Sequence, residues 1–88
     1  MWKVVYKKSV KKDLKHISQD VQKVIKKSIE NKLMIDPLHF GKPLRKNLNG
    51  LMKLRVRDYR IIYSIDRQVI TVYVIKIGHR KEVYKNIN

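Results

Sequence analysis

Hydrophobic positions along the chain divide its first part into one extended and two helical segments. A short β-prone run at residues 2–6 comes first, and Ser9 then stands where a residue of its type can cap a helix. Val10, Leu14 and Ile17 follow at helical spacing. After Ser18 or Asp20, either of which can cap a second helix, a longer apolar stripe comprises Val21, Val24, Ile25, Ile29 and Leu33. This part therefore predicts one strand and two amphipathic helices.

The rest of the chain predicts a loop followed by three strands. Prolines, glycines and asparagines between about 35 and 50 are typical of a loop. Three β-rich runs follow at Leu51–Val56, Tyr59–Ile65 and Val69–Ile77. Their connections, Arg57-Asp58 and roughly residues 66–68, are short enough to imply antiparallel hairpins. A polar tail starts at Gly78, where glycine frees the backbone, and Val83 and Tyr84 are its expected anchors.

The element order β-α-α-β-β-β predicts an α+β fold. Two N-terminal helices would pack on one face of a four-stranded, mainly antiparallel sheet and bury their stripes there. The length of 88 residues fits a single domain spanning residues 1–88. We expect the opposite face of the sheet to be open, so the residues on that face decide the function.

Composition narrows the classes of partner. Lysine and arginine number 22 against 7 acidic residues, and the resulting charge of +15 attracts polyanions. Nucleic acid is the first expected partner, an acidic protein the second and an anionic membrane the third. Cysteine is absent, which excludes disulfides and thiolate chemistry, and the scattered histidines have no ligand-like spacing. We expect no metal, no cofactor, no signal peptide and no membrane span, and hence a cytoplasmic protein.

A cationic constellation lies on the predicted β-hairpin. If Arg57-Asp58 is a two-residue loop, Arg55 opposes Arg60 and Lys53 opposes Ile62, on the face away from the helices. Like charges in opposed positions destabilise a sheet, so a phosphate between them would relieve their repulsion. A solvated basic strand face is the other interpretation. The register depends on a loop that lacks the glycine such turns favour.

The segment after the last predicted strand offers further polar and aromatic groups. Arg80, and with it His79, can return toward the basic patch, although a lone histidine is more often structural. Tyr84 either stacks on a base of single-stranded RNA or closes the sheet edge as a core aromatic. Spacing alone leaves both interpretations of Tyr84 open.

Three segments together resemble the RelE/ParE superfamily of bacterial and archaeal toxins. They are Gly41–Leu44, Leu48–Tyr63, which contains Leu54-Arg55-Val56-Arg57-Asp58-Tyr59-Arg60, and Ile77–Tyr84. The β-α-α start agrees with the superfamily in length and pattern. The resemblance implies a type II toxin–antitoxin toxin, whose RelE branch enters the ribosomal A site and cuts mRNA there.

Carried over by position, the resemblance implies a set of functional residues. The implied catalytic residues are Lys53, Arg55, Arg60, Arg80 and Tyr84, and the implied substrate-binding residues are Arg57, His79 and Lys81. The chain departs from the pattern where Met52 replaces a frequent aromatic residue and Arg57 a frequent glycine. His79 stands where the RelE pattern has a lysine. None of these departures removes the catalytic set.

The implied reaction is attack of an mRNA 2′-OH on the adjacent 3′-phosphate, without a metal. Arg55 and Arg60 suit stabilisation of the phosphorane, and Lys53 suits a general base because neighbouring cations favour its neutral form. Arg80 would stabilise charge or supply a proton, and Tyr84 would orient the substrate. The implied partners are an acidic antitoxin and a 70S-type ribosome with its mRNA. The alternatives are a ParE-like DNA gyrase inhibitor without nuclease chemistry and an inactive antitoxin-binding module.

Overall fold

The part of the chain that the structure describes folds into five strands, three α-helices and one π-helical turn. The computed structural model describes residues 1–44 and 50–85. The strands are β1 (Lys3–Tyr6), β2 (Lys42–Pro43), β3 (Met52–Val56), β4 (Tyr59–Asp66) and β5 (Thr71–His79). The helices are α1 (Val10–Lys15), α2 (Gln19–Ser28) and α3 (Pro37–Phe40), and the π-helical turn Ile29–Leu33 continues α2.

The strands form one mixed sheet in the order β1-β5-β4-β3-β2. β1 runs parallel to β5, and the other neighbours are antiparallel. The predicted α+β class is confirmed, but the predicted count of four strands is one too low. The additional strand, β2, lies in the segment predicted to be a loop, which also contains α3. A two-residue edge strand containing a proline leaves no periodic signal in the sequence.

The predicted helical stripes cover one face of the sheet. Ser18, rather than Asp20, caps α2, because its hydroxyl oxygen accepts a hydrogen bond from the Val21 N–H at 3.3 Å. Ser9 occupies the N-cap position of α1 but its side chain makes no capping hydrogen bond. The main core joins both layers, and its buried members include Val10, Ile25, Ile29, Leu33, Met52, Leu54, Val56, Ile61 and Val74.

The β3–β4 hairpin has the predicted register. Arg55 pairs with Arg60, Lys53 pairs with Ile62, and Val56 with Tyr59 close the two-residue loop. Arg57 in that loop has a φ of 54°, in the left-handed region that glycine adopts most readily. This backbone conformation accounts for the glycine that the superfamily pattern often places at the position of Arg57.

β5 begins and ends two residues later than predicted. β4 continues to Asp66, which pairs with Thr71, so the connection is a turn over residues 67–70. The Asp66 carboxylate accepts a hydrogen bond from the Gln68 N–H at 3.0 Å, and Ile70 has a φ of 46°. A β-branched residue rarely adopts this conformation, so β propensity wrongly assigned Val69 and Ile70 to the strand.

The second face of the sheet is only partly open, which corrects the expectation of a bare face. Leu44, Ile62 and Val83 form a second buried cluster there, with Leu51 packed against it. The chain after β5 folds back over the sheet, and a Cβ at Gly78 would lie 3.3 Å from Val83. Gly78 therefore makes room for Val83, and the strand runs through it to His79 rather than ending there.

Helix α1 closes the edge of β5 that extends beyond β1. The Asp13 carboxylate accepts a hydrogen bond from the Ile77 N–H at 3.1 Å. This contact gives the unpaired backbone of β5 a partner where β1 has ended. Among the helices in residues 1–44 and 50–85, none has the length and apolar character needed to cross a bilayer.

Candidate functional site

A groove on the second face of the sheet gathers four positive side chains and one aromatic ring. Its volume is about 380 Å³, and it is lined by Phe40, Lys42, Lys53, Arg55 and Arg60. We call these five residues the cationic groove. No acidic side chain is among them. The arrangement attracts an anion and gives it several donors at once.

Strand alternation places the β3 residues of the groove. Leu54 and Val56 are buried in the main core, so Lys53 and Arg55 between them point to the other face. β2 adds Lys42, which is the register partner of Lys53. Opposed residues have Cβ atoms about 5 Å apart, so these two ammonium groups reinforce one local positive field. The sheet thus concentrates charge that folding alone disfavours.

Arg60 is held by the hairpin loop. Its Nη1 donates hydrogen bonds to the carbonyl oxygens of Arg57 at 3.0 Å and of Tyr59 at 2.8 Å. These bonds leave other N–H donors of the guanidinium free to bind an anion. The left-handed conformation of Arg57 therefore belongs to the turn that orients Arg60.

The other wall of the groove is anchored to the core by Tyr63. Its hydroxyl donates a 2.7 Å hydrogen bond to the Pro37 carbonyl at the start of α3. A Cβ at Gly41 would lie 1.6 Å from the Tyr63 oxygen, so only glycine allows the chain to pass this ring. Phe40 and Lys42 lie on either side of Gly41, and this close approach fixes where both enter the groove.

Tyr84 lies at the surface beside Lys53. The Lys53 Nζ is 5.9 Å from the centre of the Tyr84 ring, within the range of a cation–π contact. The Tyr84 side chain is 40% exposed, whereas Val83 is fully buried. Val83 therefore anchors the tail in the core, and Tyr84 presents its ring to solvent. This geometry opposes the interpretation of Tyr84 as a core aromatic.

Arg80 lies at the β3–β4 loop, outside the lining of the groove. Its Nε is 3.7 Å from an Asp58 carboxylate oxygen, and its backbone N–H donates to the Asp58 carbonyl at 2.7 Å. Both side chains are more than half exposed, so the ion pair contributes little to stability. Within residues 1–44 and 50–85 this is the one ion pair, which leaves the groove cations without carboxylate partners.

The predicted substrate-binding residues are spread around this end of the sheet. His79 packs edge-to-face against Tyr59, with ring centres 5.6 Å apart, and its Nδ1 accepts a hydrogen bond from the Lys81 N–H at 3.2 Å. His79 pairs with Tyr59, whose partner Val56 faces the helices, so it lies on the face opposite the groove. The side chains of Arg57 and Lys81 are exposed.

Family comparison decides what kind of protein carries this groove. Residues 4–84 match the family described as the ParE toxin of type II toxin–antitoxin systems. The chain belongs to this toxin family. Within the wider RelE/ParE superfamily, its similarities are to RelE-like members.

Two curated relatives of this toxin come from Mycobacterium tuberculosis. Toxin RelE is 32% identical over 74 residues, which is 84% of this chain and 76% of that protein. Toxin RelG is 40% identical over 50 residues, which is 57% of this chain and 58% of that protein's length. In the crystal structure of the RelBE2 toxin–antitoxin complex from the same organism, one chain superposes with a TM-score of 0.82 at 29% identity. That match covers 90% of this chain and 98% of the other.

The toxin's groove contains two residues that the sequence did not identify as candidate site residues. Phe40 and Lys42 lie in the segment predicted to be a loop, and their position depends on Gly41 packing against Tyr63, 22 residues away. The one signal that pointed to them was Gly41–Leu44, a segment of the family resemblance. In the described parts of the chain, no group of three or more histidine and acidic side chains is placed to hold a metal ion.

Proposed function

We propose that this toxin is a ribosome-dependent endoribonuclease that cleaves mRNA in the A site and so inhibits translation. The observation that carries the proposal is the cationic groove, where Lys42, Lys53, Arg55 and Arg60 converge without a carboxylate among them. Such a groove fits a phosphodiester, and a 2′-OH in the RNA would supply the nucleophile. The similarity to toxin RelE supports the RelE branch of the superfamily.

The proposed reaction is an internal transesterification. The 2′-oxygen bonds to the adjacent phosphorus while the bond from phosphorus to the 5′-oxygen of the next nucleotide breaks. The 2′-OH gives up its proton to a base, and the departing 5′-oxygen gains one from an acid. The products are a 2′,3′-cyclic phosphate and a free 5′-OH. The protein must therefore align the 2′-oxygen, stabilise the phosphorane charge and move two protons.

Three groove residues, together with Tyr84 and Arg80 outside the groove lining, suit these tasks. Arg55 and Arg60 stabilise the phosphorane, because guanidinium groups match phosphate oxygens and Arg60 is already oriented by the loop carbonyls. Lys53 is the proposed base, since its amine lines the groove in which the phosphodiester would lie. Tyr84 orients the strand beside Lys53. Arg80 is proposed to turn from Asp58 to the substrate when RNA binds.

Cleavage on programmed ribosomes tests the proposal. We expect cuts in the A-site codon that leave a 2′,3′-cyclic phosphate, identified by end-group mapping of the fragments. Arg55→Met and Arg60→Met should each slow cleavage by roughly 10²-fold or more, as loss of a preorganised charge contact usually does. Fragments carrying a 3′-OH and a 5′-phosphate would reject the internal transesterification.

A matched control removes a charge elsewhere. Lys23 is an exposed lysine of α2, on the helical layer rather than in the groove. Lys23→Met changes the net charge as much as either arginine variant does, so it should cleave at the wild-type rate. Equal slowing in all three variants would mean that overall charge, and not the groove, controls the activity.

The ParE description of the matching family supports a second candidate function. As the resemblance to the superfamily implies, a ParE-like toxin would inhibit DNA gyrase without nuclease chemistry. Gyrase supercoiling assays with the purified toxin separate the two functions. Inhibition of supercoiling together with intact mRNA on ribosomes would favour the gyrase inhibitor over the endoribonuclease.

We further propose that the toxin binds an acidic antitoxin. The net charge of +15 favours an acidic partner, and the RelBE2 structure contains an antitoxin with its toxin. We expect the association rate to fall as salt is added, because long-range attraction steers the encounter. Salt-independent association would contradict this electrostatic account.

A further inference from the structure

Phe40 is an exposed aromatic residue beside the four cations of the groove. Its side chain is 42% exposed, although a phenylalanine gains most by burial. Ile35 and Leu38 on the same segment are also exposed, at 56% and 42%, but neither lines the groove. Phe40 thus differs from its apolar neighbours by its place among positive charges, where a purely apolar partner would meet unfavourable surroundings.

The backbone holds Phe40 in place on both sides. Asp36 caps α3: its carboxylate accepts a hydrogen bond from the His39 N–H at 3.2 Å, and its carbonyl accepts one from the Phe40 N–H at 3.1 Å. Gly41 on the other side packs against Tyr63. The His39 ring contacts the Phe40 ring edge-to-face, with centres 5.4 Å apart. An exposed ring on a backbone held this firmly is preorganised for a ligand.

The chemistry of the groove identifies the ligand class. Single-stranded nucleic acid is bound by cations that follow its phosphates and by aromatic rings on which its bases stack. Lys53 borders two such rings, because it lines the groove with Phe40 and approaches Tyr84 to 5.9 Å. We propose that Phe40 stacks on an unpaired base of the RNA strand whose phosphate occupies the groove. This inference rests on the proposed function in taking RNA as the ligand.

Binding of two oligonucleotides separates stacking from charge attraction. One is a single-stranded hexanucleotide with 2′-O-methyl sugars, which cannot be cleaved by 2′-OH attack, and the other is an abasic oligonucleotide with the same phosphates. Phe40→Ala should weaken binding of the first by roughly 5- to 150-fold, the range for loss of one stacked base. The affinity of the Phe40→Ala variant for the abasic strand should equal that of the wild type. Phe40→Trp should bind both strands as the wild type does.

Arg55→Met provides the contrasting pattern. Because this substitution removes a phosphate contact, it should lower the affinity for both oligonucleotides by the same factor. If Phe40→Ala weakens both strands equally, the ring only shapes the groove and the proposal is overturned. If Phe40→Ala changes neither affinity, the ring contacts no base, and the proposal is likewise overturned.

Tryptophan fluorescence gives an independent measurement with a matched control. The chain contains one tryptophan, Trp2, so Trp2→Phe provides a dark background. In that background Phe40→Trp should be quenched by the base-bearing hexanucleotide, since a stacked base quenches indole emission. Leu38→Trp, equally exposed but outside the groove, should not be quenched. Equal quenching at both positions would overturn the proposal.

The outcomes also separate this inference from the proposed cleavage. A toxin that leaves ribosomal mRNA intact but shows the base-dependent effect of Phe40→Ala would reject the endoribonuclease and support stacking. A toxin that cleaves mRNA with no base-dependent effect at Phe40 would reject stacking and support the endoribonuclease.

Discussion

Arg55 and Arg60 lie directly opposite each other in the β3–β4 hairpin, yet only Arg60 is tied to the backbone. Its two hydrogen bonds to the carbonyls of Arg57 and Tyr59 draw the guanidinium toward the loop. Arg55 is exposed and, within residues 1–44 and 50–85, its side chain has no hydrogen-bond partner. The two arginines therefore carry the same charge and oppose each other in the hairpin, but they contribute differently to the stability of the fold.

This asymmetry predicts opposite effects of the same substitution. Arg55→Met keeps the aliphatic stem and removes a repelling charge, so the free energy of unfolding should stay equal or rise by up to about 1 kcal/mol. Arg60→Met loses two hydrogen bonds from a charged donor, so it should lower the free energy of unfolding by about 1 kcal/mol. Urea unfolding of the free toxin measures both. Equal changes in the two variants would mean that the loop carbonyls do not hold Arg60.

Anion binding should stabilise the wild type through the groove. Phosphate or sulfate that binds only the folded state raises the melting temperature. We expect a larger rise for the wild type than for Arg55→Met, because the variant has one fewer donor at the site. The helical-layer variant Lys23→Met should respond as the wild type does. If added anion raises the melting temperature of Arg55→Met and Lys23→Met by the same amount, the effect follows net charge alone and the anions bind outside the groove.

The sequence predicted the hairpin but not the wall that faces it. The two-residue loop fixes the register of β3 on β4, so strand alternation alone was enough to place Lys53, Arg55 and Arg60 on one face. Phe40 and Lys42 could not be placed in this way, because their positions follow from the contact between Gly41 and Tyr63. Such a contact depends on which strand neighbours which, and short-range periodicity carries no information about that.

The same limit explains the errors at the end of the chain. The left-handed backbone of Ile70 and the packing of Val83 on Ile62 are both set by tertiary structure. The first shifted the predicted limits of β5. The second covered part of a face that the alternating pattern had left bare.

The negative charge of Asp58 lies beside Arg80, one of the residues proposed to bind the substrate. Its carboxylate lies 3.7 Å from Arg80 Nε and would compete with a bound phosphate for that guanidinium. Asp58→Asn keeps the loop carbonyl that accepts from Arg80 and removes the charge. We expect a change in unfolding free energy within about 0.5 kcal/mol, as for an exposed ion pair, and tighter binding of the 2′-O-methyl hexanucleotide. Weaker binding would show that Asp58 positions Arg80 for the substrate instead of competing for it.

Burial raises the pKa of the Tyr63 phenol from 10.0 to about 12. The folded state therefore keeps the proton more tightly than the unfolded state does. The stability associated with this proton is complete below pH 10 and is lost as the pH rises toward 12. Tyr63→Phe should lack that part of the decline in unfolding free energy, while the exposed Tyr73→Phe should follow the wild type. Denaturant unfolding between pH 8 and pH 11.5, compared across the three proteins, tests this; matching slopes in all three would contradict it.

Gly41→Ala should be among the most destabilising single substitutions, and a second substitution at Tyr63 tests the cause. A Cβ at position 41 would lie 1.6 Å from the Tyr63 oxygen and 2.6 Å from Cζ, so α3 and β2 must move away from the sheet. We expect a loss of about 2–3 kcal/mol or more in unfolding free energy and weaker oligonucleotide binding, because Phe40 and Lys42 move with the backbone.

Adding Tyr63→Phe removes the oxygen that makes the shorter contact but leaves Cζ. Tyr63→Phe alone should cost about 1 kcal/mol by losing its hydrogen bond to Pro37, yet in the Gly41→Ala background it should cost less or restore stability. A double-mutant cycle on the two positions measures that coupling. Strict additivity would show that the chain at Gly41 does not depend on the Tyr63 hydroxyl, and the groove wall would then need a different anchor.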